Sequence, residues 1–172
     1  MFISKKLNGA LNDQITMELA AHIQYLAIAH YFESRSLDRL AEFFYNQAEE
    51  EKFHALKIVR YLGEASADVR FAAIPAPKQD FASAEETAQL FVDQERAVTD
   101  SFYAMNAMAL EEQDYITQHF LQWFINEQLE EMATSTKLLD LIRMAGDNLL
   151  MVEMMIPDLE AAQDTGGGGA AE

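Results

Sequence analysis

Glu51-Lys-Phe-His54 lies midway along a long pattern of helical periodicity. Residues three apart lie on one face of a helix, so Glu51 and His54 present a carboxylate and an imidazole to the same point. Three other helical patterns each carry a lone carboxylate, at Glu18, Glu95 and Glu127. Carboxylates that face one point repel one another unless a cation lies between them. The sequence therefore predicts a metal centre inside a helical bundle, and we expect iron in a carboxylate-bridged pair.

The composition of the 172 residues favours one mostly helical globular domain. Hydrophobic residues make up 50% of the chain, which contains only seven Gly and three Pro. Cysteine is absent, and this excludes disulfides, thiolate metal sites and cysteine nucleophiles. A metal must then bind carboxylate, imidazole or amide groups, which suit iron, manganese or zinc.

The formal net charge of −17 argues against a nucleic-acid partner, because no basic stripe is available to neutralise phosphates. An acidic chain can attract cations, although solubility alone is the plainer explanation of the charge. No apolar run reaches the length of about 18 residues that a membrane helix needs, so we expect no membrane partner. The first residues lack an apolar stretch of signal-peptide length, so we expect a cytoplasmic protein.

Helical periodicity divides the chain into four long helices and a short fifth one. Ser36 is the predicted N-cap of the second helix, and Ser83 with Glu86 forms a capping box before the third. Asp114 is the predicted cap of the fourth helix, and Gly146 its end. The first helix is predicted over Lys5 to Arg35, the second up to about Ala65, and the fifth over about Asn148 to Glu160.

The connection between the second and third helices, 66–82, contains two of the three prolines and is predicted to be irregular. A helix of roughly 28 residues is about 42 Å long, and about 17 extended residues span roughly 56 Å. The connection can therefore run the length of the bundle and set helices two and three parallel. We predict an all-α antiparallel four-helix bundle with this long crossover and a short C-terminal helix over residues 1–160, followed by a flexible Gly-rich tail, 161–172.

Glu95 is the most informative of the predicted ligands. It lies at an inward heptad position, where a lone ionised carboxylate costs several kcal/mol. One such Glu could form a salt bridge at a helix end, but four at matched depth favour a metal site. We predict that Glu51 bridges two metal ions, that His54 completes one and Glu18 the other, and that Glu95 binds the second ion.

Other polar and aromatic residues are predicted to surround this pair. The fourth helix contributes Glu127 and Gln128. Tyr25 and Trp123 point to the same region, where each is either a core aromatic residue or a short-range electron donor. A further acidic group is either a third metal position or a solvated acidic face, and its members are Glu50, Glu130 and Glu131.

The chain resembles the non-haem bacterial ferritins, members of the ferritin-like di-iron superfamily. The resemblance covers nearly the whole sequence and agrees in motif, spacing and order. It is carried by Met17-Glu-Leu, Tyr25-Leu-Ala, Gln47-Ala-Glu-Glu-Glu-Lys-Phe-His54, Asp93-Gln-Glu-Arg96 and Phe120-Leu-Gln-Trp-Phe-Ile-Asn-Glu-Gln128.

The resemblance implies a cage of twenty-four subunits that oxidises iron(II) with O2 or peroxide and stores it as a ferric oxyhydroxide mineral. It also moves Glu127 from the metal pair to the third position. The ferroxidase centre that it implies consists of Glu18, Glu51, His54, Glu95 and Gln128. The third iron site that it implies consists of Glu50, Glu127, Glu130 and Glu131.

Two departures separate the chain from the haem-containing bacterioferritins. Their fourth helix carries a second Glu-x-x-His, and Glu130 occupies the position of that histidine here. Their haem methionine follows the first ligand of the second helix, and here that residue is Lys52. We therefore expect no haem.

Two other functions are compatible with a helical bundle of this kind. One is a di-iron oxygenase or reductase that acts on a small organic substrate and needs an open pocket beside the metals. The other is a metal-free bundle that acts through its surface. Particle size separates them from the ferritin hypothesis, which alone requires a large shell.

Overall fold

In the computed structural model, the described part of the chain is residues 3–166, and it contains five α-helices and no strand. The prediction of an all-α chain with four long helices and a short C-terminal one is confirmed. The fifth helix continues past residue 160, and residues 167–172 of the predicted tail lie outside the described part. The helices are α1 (Lys5–Glu33), α2 (Asp38–Glu64), α3 (Ala84–Glu111), α4 (Tyr115–Ala145) and α5 (Leu149–Gly166).

Three of the predicted helix-end signals are present. The Ser83 hydroxyl accepts a hydrogen bond from the Glu86 N–H at 3.1 Å, and the Glu86 carboxylate accepts one from the Ala82 N–H at 2.6 Å. Asp114 accepts from the N–H of Thr117 at 3.0 Å. Gly146 ends α4 with a φ of 56°, a conformation that favours glycine.

The prediction that Ser36 caps α2 is wrong. Ser36 has a φ of 57° and belongs to the end of α1, which closes with a hydrogen bond of 3.2 Å from the Leu37 N–H to the Phe32 carbonyl. The cap of α2 comes instead from α5, because the Glu153 carboxylate accepts from the Arg39 N–H at 3.1 Å and from the Leu40 N–H at 2.7 Å. A carboxylate at this position also suits the positive end of the helix dipole.

We expect Glu153→Ala to lower the free energy of unfolding by about 1 kcal/mol, the usual effect of losing an N-cap. Glu153→Gln should lose less, since the amide oxygen still accepts one of the two hydrogen bonds. Urea unfolding of both variants measures the difference, with Asp158→Ala, an exposed residue of α5, as the matched control. Equal losses in the Ala and Gln variants would contradict the capping role.

The crossover runs along α1 and is fixed to it at two places. Near the start of α1, the Asn12 amide donates to the Asp68 carbonyl at 2.9 Å and accepts from the Arg70 N–H at 2.6 Å. Further along α1, Gln24 donates to the Lys78 carbonyl and accepts from the Lys78 N–H, both at 2.8 Å. The crossover therefore returns to the end of the bundle where α2 begins, and α3 starts there parallel to α2.

Two apolar clusters fill the bundle, one toward each end. The cluster beside α5 is built around Phe32, Phe44 and Phe91, and the opposite cluster contains Ile58 and Phe102. Buried polar side chains lie between them, and they include five of the predicted ligands, Glu18, Glu51, His54, Glu95 and Gln128. No helix in residues 3–166 is long and apolar enough to cross a membrane.

Candidate metal centre

Three of the predicted ligands approach one point in the middle of the bundle. Glu18 comes from α1, and Glu51 and His54 come from α2. Each offers one ligand atom, and these atoms lie within 4.8 Å of one another. All three side chains are buried, with at most 2% of each residue exposed. Glu18 and His54 were predicted to bind different ions, whereas this geometry allows one ion to contact both.

Glu51 is the central carboxylate of the group. Within the described residues, neither of its oxygens has a hydrogen-bond partner. The Nδ1 atom of His54 lies 3.5 Å from Glu51 Oε2 without forming a hydrogen bond. Burial raises the pKa of Glu51 well above its ordinary value, and the negative charge of Glu95 raises it further. Without a cation, the carboxyl groups of the site therefore resist full ionisation. A bound cation would stabilise their ionised forms.

Glu95 is fully buried on α3, as predicted, and two neutral groups hold its carboxylate. The Tyr25 hydroxyl donates to Oε1, and the Gln128 amide nitrogen lies 3.4 Å from Oε2. Burial raises the pKa of Glu95 to about 7, although the hydrogen bond from Tyr25 lowers it. Burial and the charge of Glu95 also raise the pKa of Tyr25, which favours a neutral hydroxyl that donates.

Gln128 is oriented by a residue that the sequence analysis did not select. The Thr99 hydroxyl lies 2.7 Å from the amide oxygen of Gln128 and 2.8 Å from the backbone carbonyl of Glu95. When the hydroxyl donates to Gln128, it directs the amide nitrogen toward Glu95. In this arrangement Gln128 supports Glu95, and its oxygen is already engaged. Thr99 is four residues from Glu95 on the same helix. Residues at this spacing share a helix face, and this was the feature of the sequence that could have identified Thr99.

The residues predicted for a third metal position differ in their burial. Glu131 is buried and, in the part of the chain described here, its Oε2 has no partner. Glu127 and Glu130 are half-buried, and Glu50 is exposed although protein atoms crowd its carboxyl group. Burial raises the pKa of Glu131 well above its ordinary value, and the charges of Glu95 and Glu50 add to this. Of these four residues, Glu131 is therefore the one that is buried together with the group of Glu18, Glu51 and His54.

Aromatic rings border the site on both sides. The ring of Trp123 lies 5.6 Å from that of His54, and Lys57 Nζ is 4.0 Å from the Trp123 ring centre. On the other side, Tyr25 packs edge-on against Phe91 at 5.2 Å. These rings limit the access of water and hold His54 and Tyr25 in place.

The donor set suits a hard divalent or trivalent cation. Buried carboxylates, when ionised, carry negative charge that the apolar surroundings do not stabilise, and several of their oxygens are unpaired within residues 3–166. The unpaired group includes Glu18 Oε2, both oxygens of Glu51 and the Nδ1 atom of His54, as judged among the described residues. Carboxylate oxygens with an imidazole nitrogen are donors that iron, manganese and zinc accept.

The chain is similar to known proteins along most of its length. A family profile described as ferritin-like domain matches residues 8–145. The bacterial non-heme ferritin of Staphylococcus aureus (strain MRSA252) is 40% identical over 146 residues, which cover 85% of this chain and 88% of that protein. The bacterial non-heme ferritin of Staphylococcus epidermidis has the same identity and coverage.

Solved structures give the same relationship. An open pore ferritin from the archaeon Archaeoglobus fulgidus has a TM-score of 0.86 at 30% identity, covering 91% of this chain and 97% of that one. A humanized archaeal ferritin has a TM-score of 0.87 at 29% identity, covering 91% of this chain and 95% of that one. The family profile and the relatives together confirm the resemblance in the sequence, and the chain belongs to the ferritin family, with bacterial non-haem ferritins among its relatives.

Proposed function

We propose that the protein oxidises iron(II) at the buried centre and stores the iron(III) product. The observation that carries this proposal is Glu51, a buried carboxylate with both oxygens unpaired among the described residues, beside Glu18 and His54. Iron is the substrate in this reaction. Each iron(II) ion gives up one electron, and O2 or peroxide accepts the electrons. Family membership and the bacterial non-heme ferritin relatives support iron over zinc or manganese.

Different side chains would bind the two iron ions. Glu51 would bridge them, because among the carboxylates of the described residues 3–166 it alone has two unpaired oxygens at the centre of the group. Glu18 and His54 would complete one ion, and Glu95, supported by Gln128, would bind the other. Tyr25 holds Glu95 in position through its hydrogen bond, and we propose it as a short-range electron donor. Carboxylates stabilise iron(III) more than iron(II), because the attraction rises with the charge of the cation.

The acidic residues beside the centre would take the product away from it. Glu131 is buried next to the group formed by Glu18, Glu51 and His54. Glu127 and Glu130 are half-buried and Glu50 is exposed, so these acidic side chains continue from the centre toward the surface. Such a gradient of exposure gives iron(III) a path from the buried centre toward solvent. Storage then requires an enclosed space, which we propose is a homo-oligomeric shell of twenty-four copies holding ferric oxyhydroxide.

The oxygenase hypothesis finds less support in the shape of the bundle. Three surface cavities measure about 440, 590 and 600 Å³. Their walls are formed by the crossover and the outer faces of helices, and Glu51 and Glu95 are not among the lining residues. Large side chains such as Phe91, Phe102 and Phe124 fill the space near the centre that an organic substrate would need.

The test is to add iron(II) to the metal-free protein without oxygen, admit air, and follow ferric absorbance and particle size. We expect rapid oxidation, and storage of far more than two irons per chain in a particle of several hundred kilodaltons. Glu95→Gln should slow oxidation by at least about 10-fold, because a ligand oxygen is lost. Glu111→Gln, an exposed glutamate of α3, is the matched control. A small particle that binds two irons and stores no more would favour the oxygenase instead.

A further inference from the structure

Gln14 contacts the centre, although nothing in its residue type marks it as part of a metal site. It lies on α1, one turn before Glu18, and its side chain is fully buried. Its amide nitrogen donates a hydrogen bond of 3.0 Å to Glu18 Oε1. In the described part of the chain, the amide oxygen of Gln14 has no partner.

The hydrogen bond makes the two oxygens of Glu18 different. Oε1 is engaged by Gln14, and Oε2 has no partner among residues 3–166. Glu51, by contrast, has two oxygens without a partner in this same described range. A carboxylate with one oxygen held by a neutral donor offers only the other oxygen to a cation without breaking that bond. Glu18 is therefore suited to bind a cation through one oxygen, whereas Glu51 is suited to bridge two cations.

The amide oxygen of Gln14, unpaired among the described residues, also indicates a ligand at this place. A buried oxygen without a donor costs free energy, which is recovered when a donor reaches it. A divalent cation enters with water molecules, and those waters are donors. The planar amide fixes the position of this oxygen relative to the nitrogen that contacts Glu18.

We propose that Gln14 is a positioning residue that restricts Glu18 to binding a divalent cation through Oε2 alone. The inference rests on the proposed function, since it concerns the same metal centre. Gln14 acts through Glu18, and its amide oxygen receives a hydrogen bond from water that accompanies the cation. Orienting partners of this kind change metal affinity by about 10- to 100-fold when removed.

The test uses Co(II) as a probe, because its visible absorption reports its coordination and it does not depend on iron oxidation. Gln14→Met keeps the length of the side chain and removes the donor. We expect Co(II) affinity at the centre to fall by about 10-fold, because Glu18 loses the partner that orients it. We also expect the absorption band to weaken, because Glu18 can then bind through both oxygens and raise the coordination number. Gln14→Asn, which withdraws the amide by one carbon, should give the same change if Gln14→Met folds poorly.

Gln24→Met is the matched control, since Gln24 is a buried glutamine of the same helix that contacts the Lys78 backbone. It should leave the Co(II) spectrum unchanged. An unchanged spectrum and affinity in both Gln14 variants would overturn the inference. A wild-type protein that binds Co(II) but oxidises no iron would overturn the proposed function alone, and one that binds no Co(II) would overturn both.

Discussion

Glu51→Gln is expected to slow iron(II) oxidation by at least about 100-fold, more than the loss of a supporting residue. Glu51 lies at the centre of the group, and neither of its oxygens has a hydrogen-bond partner in the part of the chain that the structure describes. An amide keeps the shape of the side chain, but its nitrogen cannot bind a cation and its oxygen carries no charge. The initial rate of ferric absorbance after air is admitted to iron(II)-loaded protein measures the effect.

Glu49→Gln is the matched control for this substitution. Glu49 lies two residues earlier on α2, is exposed, and forms a salt bridge of 2.8 Å with Lys52. Its loss removes the same charge from the same helix without touching the centre, so the rate should stay within about twofold of wild type. Equal slowing by both variants would mean that overall charge, and not a bridging ligand at Glu51, governs the rate.

The second large effect is a loss of stability of the metal-free protein as the pH rises. Burial raises the pKa of Glu95 to about 7, from an ordinary value of 4.5, and raises the pKa values of Glu18, Glu51 and Glu131 well above theirs. Between the ordinary and the raised pKa, the folded protein holds protons that the unfolded chain has released. The stabilisation is therefore full below about pH 4.5 and is lost as the pH rises through about 7.

The size of the effect follows from the pKa difference. Glu95 alone corresponds to about 3 kcal/mol at most, which for a domain of this size shifts the thermal midpoint by roughly 5 to 10 °C. Thermal unfolding at pH 5 and pH 8, at one protein concentration, measures it. Saturating Zn(II) should remove much of the difference, because a bound cation stabilises the ionised carboxylates.

Two variants separate this effect from general repulsion in an acidic chain. Glu95→Gln should show a smaller loss between pH 5 and pH 8, since the amide has no proton to release. Glu49→Gln, which removes an exposed charge, should behave like wild type. A pH response in Glu95→Gln as steep as that of wild type would show that the buried carboxylate is not its source.

The sequence was most informative where a residue type conflicted with its helical position. Glu51 and Glu95 are charged residues at inward positions, and the structure buries both with Glu18 and His54 nearby. Helical spacing alone predicts that conflict, because it fixes which residues share a face. The helix ends at Ser83, Asp114 and Gly146 were predictable for a similar reason, since those signals act within one turn.

Contacts between distant residues were beyond the reach of local patterns. Ser36 is a residue type that commonly caps helices, but here it lies in the left-handed turn that ends α1. The cap of α2 is Glu153, which comes from another helix. Gln14 and Thr99 are ordinary helix residues in sequence, and only the packing of the bundle reveals what they contact. Each was four residues from a predicted ligand, so spacing could have suggested them but could not distinguish them from solvated side chains.

The contact between Glu153 and α2 also has a consequence for the order of events during protein synthesis. Arg39 and Glu153 are separated by 114 positions, and a ribosome that adds about 5 to 20 residues per second needs roughly 6 to 23 s to cover them. During that interval the first turn of the helix that carries Glu51 and His54 has no cap. The nascent bundle therefore completes the start of α2 only when α5 has emerged, and in a chain truncated before α5 the first turn of α2 would lack this cap.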